Sequence, residues 1–274
     1  MSTITSPAVV LAPASTAAFE AAQLNADARR TRLALVVLCL ALLMNGGTAI
    51  LIAGNREAAS WAWEYALASS AMTLGIFCAY CYGAGDRSLF HWGVVALTAG
   101  FVELIADAWL VQGTNTLNYR PWGQSGQPMI WASPAYMPFA WTGVLLQIIT
   151  IGDALRRHMR PWMATLLTGL LGGINIPLYE AWAFKANWWA YQHTPMIARN
   201  APYFIALGEF LLCLPLGWFA RKTADAPLWR CVAYGALIGA GIFVSYWVSY
   251  QLMGRCGGLV LGLDFAHGCM PAAP

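Results

Sequence analysis

The sequence predicts an all-α fold, a polytopic transmembrane helical bundle of about seven spans with the N-terminus inside and the C-terminus outside. Three observations predict it. Apolar runs of about 20 residues, the length that crosses a bilayer, recur along the chain. Only 10% of the 274 residues are charged while 59% are hydrophobic, whereas a soluble domain carries about 25% charged residues. Lys and Arg also crowd into alternate connecting segments, as the positive-inside rule requires.

Residues 1–28 are rich in Ala, Ser, Thr and Pro and read as a flexible cytoplasmic tail. They lack the basic start and short apolar core of a signal peptide; a cleaved targeting segment is the alternative. A seven-span domain follows over 29–253, and a short extracytoplasmic tail over 254–274. The apolar runs are Leu33 to Ala53, Trp61 to Gly83, Leu89 to Gln112, Ile130 to Gly152, Pro161 to Ala181, Pro202 to Ala220 and Trp229 to Met253. Turn signals separate them, among them Gly54-Asn55, Gly85-Asp86, Arg120-Pro121-Trp122-Gly123 and Ala226-Pro227. No internal repeat and no soluble domain is evident.

With the N-terminus inside, the inner segments hold Arg29, Arg30, Arg32, Arg87, Arg156, Arg157, Arg160, Arg221, Lys222 and Arg230. The outer ones hold only Arg56, Arg120, Lys185, Arg199 and Arg255. This topology places Trp61, Trp63, Trp122, Trp131, Trp188, Trp189 and Tyr191 on the outer side, where an aromatic belt is expected. A net charge of +3 is too small to point to nucleic acid. Cys39, Cys78, Cys81, Cys213 and Cys231 lie in or beside spans and read as small apolar fillers. Cys256 and Cys269 lie in the outer tail, where an oxidising compartment permits a disulfide.

The chemistry is expected where the acids lie. Of only 12 Asp and Glu, Glu64, Glu103, Asp107, Glu180 and Glu209 fall in or at the ends of spans, all in the outer half of the bilayer. An ionisable group in lipid costs about 2.5–3.5 kcal/mol on insertion scales, so it needs a partner or a task. Glu103 and Asp107, four apart, share one helix face. Two carboxylates that close in low dielectric do not both ionise cheaply, and a protonated acid beside an ionised one suits general acid and base work. A buried network that only ties helices together is the alternative. Glu64 and Glu180 sit near the interface, where a solvated end is expected.

Three polar-aromatic stretches lie at the same level: Thr114 to Tyr119, Ser133 to Trp141, and Pro177 to Trp182 running on to Asn187 through His193. Pro134 and Pro138 are expected to break the start of the fourth span, and broken helices at membrane depth line cavities. Such aromatic density suits a large apolar ligand or a cation. No metal site is expected: only four His occur, with no HxxxH or ExxH spacing. No Lys lies in a predicted span to carry a Schiff base, and phosphate-loop and dinucleotide fingerprints are missing, so no cofactor is expected.

At these residues the chain resembles a family. Gly100-x-x-Glu103, Gly113-Thr114, Tyr119, Pro138 and Ala140-Trp141, followed by Trp182, Trp188-Trp189, Pro195 and Asn200, are similar to the carotenoid hydratases, membrane enzymes that add water to a terminal double bond of long polyenes. The likeness covers roughly residues 100 to 210 and departs where Asn115-Thr116-Leu117-Asn118 replaces the family's glycine-rich turn. Membrane-bound terpene cyclases, small seven-span proteins relying on a few intramembrane acids, are the second similar group. Both resemblances imply protonation of an isoprenoid alkene by a buried carboxylic acid, in a lyase (hydratase) or an isomerase (cyclase). The expected catalytic residues are Glu103, Asp107 and Glu209. Tyr119, Tyr136, Trp141, Glu180, Trp188 and Trp189 are expected to bind substrate, with isoprenoid or lipid as partner and the cell's inner or plasma membrane as location. The competing classes are a non-catalytic lipid- or pigment-binding or transport protein and a structural subunit of a membrane complex.

Overall fold

A computed structural model describes residues 16–52, 61–119, 126–197, 200–255, 259–260 and 263–264. Six of its helices are long and apolar enough to cross a membrane: α2 Ala62–Ala84, α3 Arg87–Gly113, α4 Met137–His158, α5 Pro161–Lys185, α6 Tyr203–Thr223 and α7 Leu228–Met253. This is the pattern of a multi-pass membrane protein. Before them α1, Thr16–Ile52, contains the expected first run up to Ile52; some of its side chains lie outside the described residues. The outward faces carry Leu43, Ile50, Ile105, Ile174 and Val244 half or more exposed. Water would not tolerate so continuous an apolar surface, whereas hydrocarbon does.

The boundaries expected from hydropathy shift most at the fourth span. Apolar Ile130 does not begin a helix: Met129–Ile130 and Ser133–Pro134 form a short antiparallel hairpin, and α4 begins at Met137. Pro134 belongs to that hairpin, and Pro138 sits in the first turn of α4, where its missing N–H costs nothing. The expected tail also ends early, since helix begins at Thr16 and runs straight into the apolar run. Ion pairs tie this stretch down. Asp27 binds Arg30 at 3.1 Å and also Arg157 of α4, while Arg30 also reaches Asp86 and Arg157 reaches Asp153 at 2.8 Å. Asp86 in turn caps α3 by accepting from the Leu89 N–H at 3.0 Å. The pairing expected for Cys256 and Cys269 lies outside the described residues. Cys39 and Cys78 are exposed rather than space-filling, whereas Cys213 and Cys231 are buried.

α4 is the central element, packing against α1, α2, α3, α5 and α6, while α7 closes the bundle against α3 and α6. Two crossings are close because a glycine permits them. A side chain at Gly100 would collide with the Pro138 carbonyl, and one at Gly208 with the Tyr246 ring. Gly100 stands one turn before Glu103 and Gly208 beside Glu209, so both contacts bring an acid-bearing helix against its neighbour. Outside the helices, Leu117–Asn118 pairs antiparallel with Ala190–Tyr191. That bridge joins the segment after α3 to the segment after α5.

Candidate functional site

α3 is irregular where its acids lie. The regular helix ends at Val102, a short turn covers Leu104–Ala108, and Trp109–Gly113 is π-helical. The Glu103 carbonyl accepts from both the Ala106 and Asp107 N–H groups, at 2.7 and 3.3 Å, so the backbone tightens there before it widens. π-Helical turns inside longer helices recur at functional sites. Glu103 is 0% exposed and Asp107 3%. Tyr119 donates to Asp107 Oδ2 at 2.5 Å and Ser133 to the same oxygen at 2.8 Å. Glu103 has Asp107 and Trp141 as polar neighbours, yet neither of its oxygens accepts a well-formed hydrogen bond.

Two further acids converge on this pair. Glu180 of α5 is 4% exposed and accepts from Trp189 Nε1 at 2.5 Å and the Tyr191 hydroxyl at 3.4 Å. This corrects the solvated helix end expected for Glu180, because the segment after α5 folds back over it. Glu209 of α6 is 2% exposed and accepts from the Tyr246 hydroxyl of α7 at 2.6 Å. Glu64 remains half-buried at the start of α2.

The acids border a cavity of about 950 Å³ including its open mouth, the size range of sites for drug-sized ligands. Asp107, Glu180 and Glu209 line it, and Glu103 stands behind Asp107. Of the expected substrate-binding residues, Tyr119, Tyr136, Trp141, Glu180, Trp188 and Trp189 all line it. Trp188, Trp189 and Tyr191 therefore leave the aromatic belt. Trp188 donates to the Ala62 carbonyl at 2.7 Å, and the Trp189 ring meets Tyr119 edge-on at 6.1 Å. Trp61 and Trp131 stay exposed, as belt residues do. Part of the lining is plainer, with Ala66, Ser69, Ser70 and Thr73 of α2 and Val144 and Gln147 of α4.

Tyr119 lies outside the spanning helices. Burial first, then the carboxylates of Asp107 and Glu103, push its hydroxyl well above its ordinary value, so it serves Asp107 as a donor. Tyr191 is pushed up in the same way, by burial and then by Glu180. Among the described residues no Lys, Arg or His lines the cavity, and the ion pairs lie at the opposite end of the bundle. His193 is exposed, and no group of three His, Cys, Asp or Glu among the described residues is arranged to hold a metal ion.

Sequence reasoning missed Ser133 and Tyr246 as partners of the acids. Ser133 lies inside the polar-aromatic stretch Ser133 to Trp141, so its position was a usable signal. Tyr246 lies in the last third of α7 between Ser245 and Trp247, and with Tyr234 and Tyr250 on the same helix nothing along the chain singled it out.

No curated protein and no solved structure matches the chain. Residues 104–253, which begin between the two acids of α3 and end with α7, match the family described as Domain of unknown function (DUF6989). A match over more than half its length, covering every cavity-lining residue outside α2 and three of the four acids, makes the chain a member of that family.

Proposed function

We propose that this protein is an integral membrane enzyme that protonates an isoprenoid alkene, carotenoid or terpenoid, and completes either a hydration or a cyclisation. The observation that carries this reading is the Glu103–Asp107 pair, buried with no cation beside it among the described residues, at the edge of a large aromatic cavity. Asp107 borders the cavity and is assigned as the acid. Tyr119 and Ser133 both donate to its Oδ2, which leaves Oδ1 to carry the transferable proton. Glu103 behind it is the carboxylate with which that proton is shared.

The proton passes from Asp107 to one alkene carbon, and the π electrons form the new C–H bond. The other carbon becomes a carbocation facing the indole and phenol rings, which stabilise positive charge. In a hydration, water forms the C–O bond and its spare proton returns to the carboxylate. In a cyclisation, an internal alkene forms the C–C bond and a neighbouring C–H proton returns instead. Either way the acid is regenerated. Glu209, held by Tyr246, is assigned as the base or orienting group at the far side.

We also propose that α1 is a seventh span with the N-terminus inside, in the cell's inner or plasma membrane, because the basic residues favour that side two to one. The reaction is tested by mass spectrometry of isoprenoids from cells with and without the gene, then with protein purified in detergent. The expected product differs from its precursor by one water or by one ring. Glu103→Gln and Asp107→Asn are each expected to lower turnover about 100-fold or more, the usual worth of general acid catalysis. Full turnover in both variants would falsify the mechanism. An unchanged isoprenoid profile would move the reading to a lipid- or pigment-binding protein, a carrier or a structural subunit.

A further inference from the structure

The cavity has an unbalanced inventory. Three carboxylates line it with Glu103 behind them, and the donors that reach the three come from neutral groups: a serine, three tyrosines, an indole and, at 3.9 Å, the Cys213 thiol. Among the described residues no side chain of opposite charge faces them. Glu180 and Glu209 lie on different helices yet within electrostatic reach of one another. Between and around them stand the rings of Trp141, Trp189, Tyr191 and Tyr246, the last tilted against Trp141 with centroids 6.4 Å apart.

A separate observation points to an occupant. Tyr136 lines the cavity, is 3% exposed, and its hydroxyl is buried with no hydrogen-bond partner. A buried hydroxyl left unmatched costs about 1–3 kcal/mol, so such groups usually answer to something that binds.

We propose that the cavity binds a cationic amphiphile, a tertiary or quaternary ammonium carrying an apolar chain. The ammonium sits between Glu180 and Glu209 against the ring faces, and the chain runs along the apolar lining residues Ala66, Val144 and Ile176. Aromatic faces attract alkylated ammonium strongly once water is excluded. Carboxylates in the same enclosure add a Coulomb term that surface acids lack. The Tyr136 hydroxyl is then free to meet a polar group at the head of the ligand. This site shares the cavity of the reaction proposed above but needs no bond to be made, so the two stand or fall separately.

The probes are octyltrimethylammonium and its uncharged isostere, in which carbon replaces nitrogen, titrated against the full chain in zwitterionic nanodiscs and followed by tryptophan fluorescence. The ammonium is expected to bind about tenfold or more tighter than the isostere, the equivalent of a cation–π contact in a desolvated site. Glu180→Gln and Glu209→Gln are each expected to shrink that preference. Equal binding of the two probes by the unaltered protein overturns the proposal, as does equally tight binding of octyl sulfate. Neither result depends on a variant that folds. A preference that survives both Gln variants also overturns it. Ammonium binding without alkene turnover leaves this site standing and removes the reaction; turnover without ammonium preference does the reverse.

Discussion

Tyr119 and Ser133 hold one oxygen of Asp107 from outside the helix that carries it. Hydrogen bonds to a group that is charged during part of its cycle are worth about 1.5–3 kcal/mol. Tyr119→Phe is therefore expected to lower the thermal unfolding temperature in detergent and to lower turnover about tenfold or more. Ser133→Ala should do less of both, since Tyr119 remains. The direction of the Tyr119 shift has a pH consequence. Its hydroxyl is pushed up in the folded protein, so the folded state favours the protonated phenol. That contribution to stability is fully present below about pH 10, where a free phenol ionises, and is lost only as pH rises beyond it. A pH titration of unfolding should show no Tyr119-dependent loss below that point, and a difference between the unaltered protein and Tyr119→Phe that disappears near neutral pH would contradict the assignment.

The elements that matter most are the π-helical end of α3 and the N-terminal half of α1. The extra residue in a π turn rotates everything after it, and here it delivers Thr114 to Tyr119 to the bridge with Ala190–Tyr191. Deleting Gln112 should restore regular helix and carry Tyr119 away from Asp107. The expected result is loss of the Tyr119–Trp189 ring contact, read as a change in tryptophan emission, together with turnover at the level of Tyr119→Phe or below. An unchanged emission spectrum would show that the π turn is incidental. At the other end, Asp27 joins α1 to α4 through Arg157. Asp27→Ala removes that tie and leaves Arg157 with Asp153 alone. Hydrogen exchange over residues 16–32 is expected to speed up while exchange in α3 and α6 stays the same; protection unchanged over 16–32 would mean the ion pairs do not hold the helix. The sequence placed α2, α3, α5, α6 and α7 within a few residues of their observed bounds, because each carries its own apolar run. It misplaced the start of α4, since an apolar hairpin and an apolar helix start look alike until their backbone hydrogen bonds are known.

At the scale of the whole molecule the proposed orientation is directly testable. The aromatic cavity and the ion-pair network lie at opposite ends of the bundle. On the orientation proposed from the basic bias, the network faces the cytoplasm. In a cysteine-free background that retains function, a cysteine placed at Asn115 should react with a membrane-impermeant maleimide in intact cells. One placed at Arg160 should react only after lysis. The reverse pattern would invert the topology and put the cavity on the inner side.

By itself the sequence determined the class of molecule and one piece of its chemistry. Long apolar runs with few charges admit only spanning helices, and a separation of four residues places Glu103 and Asp107 on one face whatever surrounds them. Both are local properties that need no knowledge of the neighbours. Tertiary structure decided the rest. It buried Glu180 beneath Trp189, set Tyr246 against Glu209, and drew Trp188 and Tyr191 out of the interfacial belt into the cavity. Glu180, Trp188 and Trp189 were expected at the substrate site, but which side chains meet there is not read along the chain, because in a bilayer a lipid-facing side chain and a protein-facing one are equally apolar. Only the crossing of helices, close at Gly100 and Gly208, distinguishes the two.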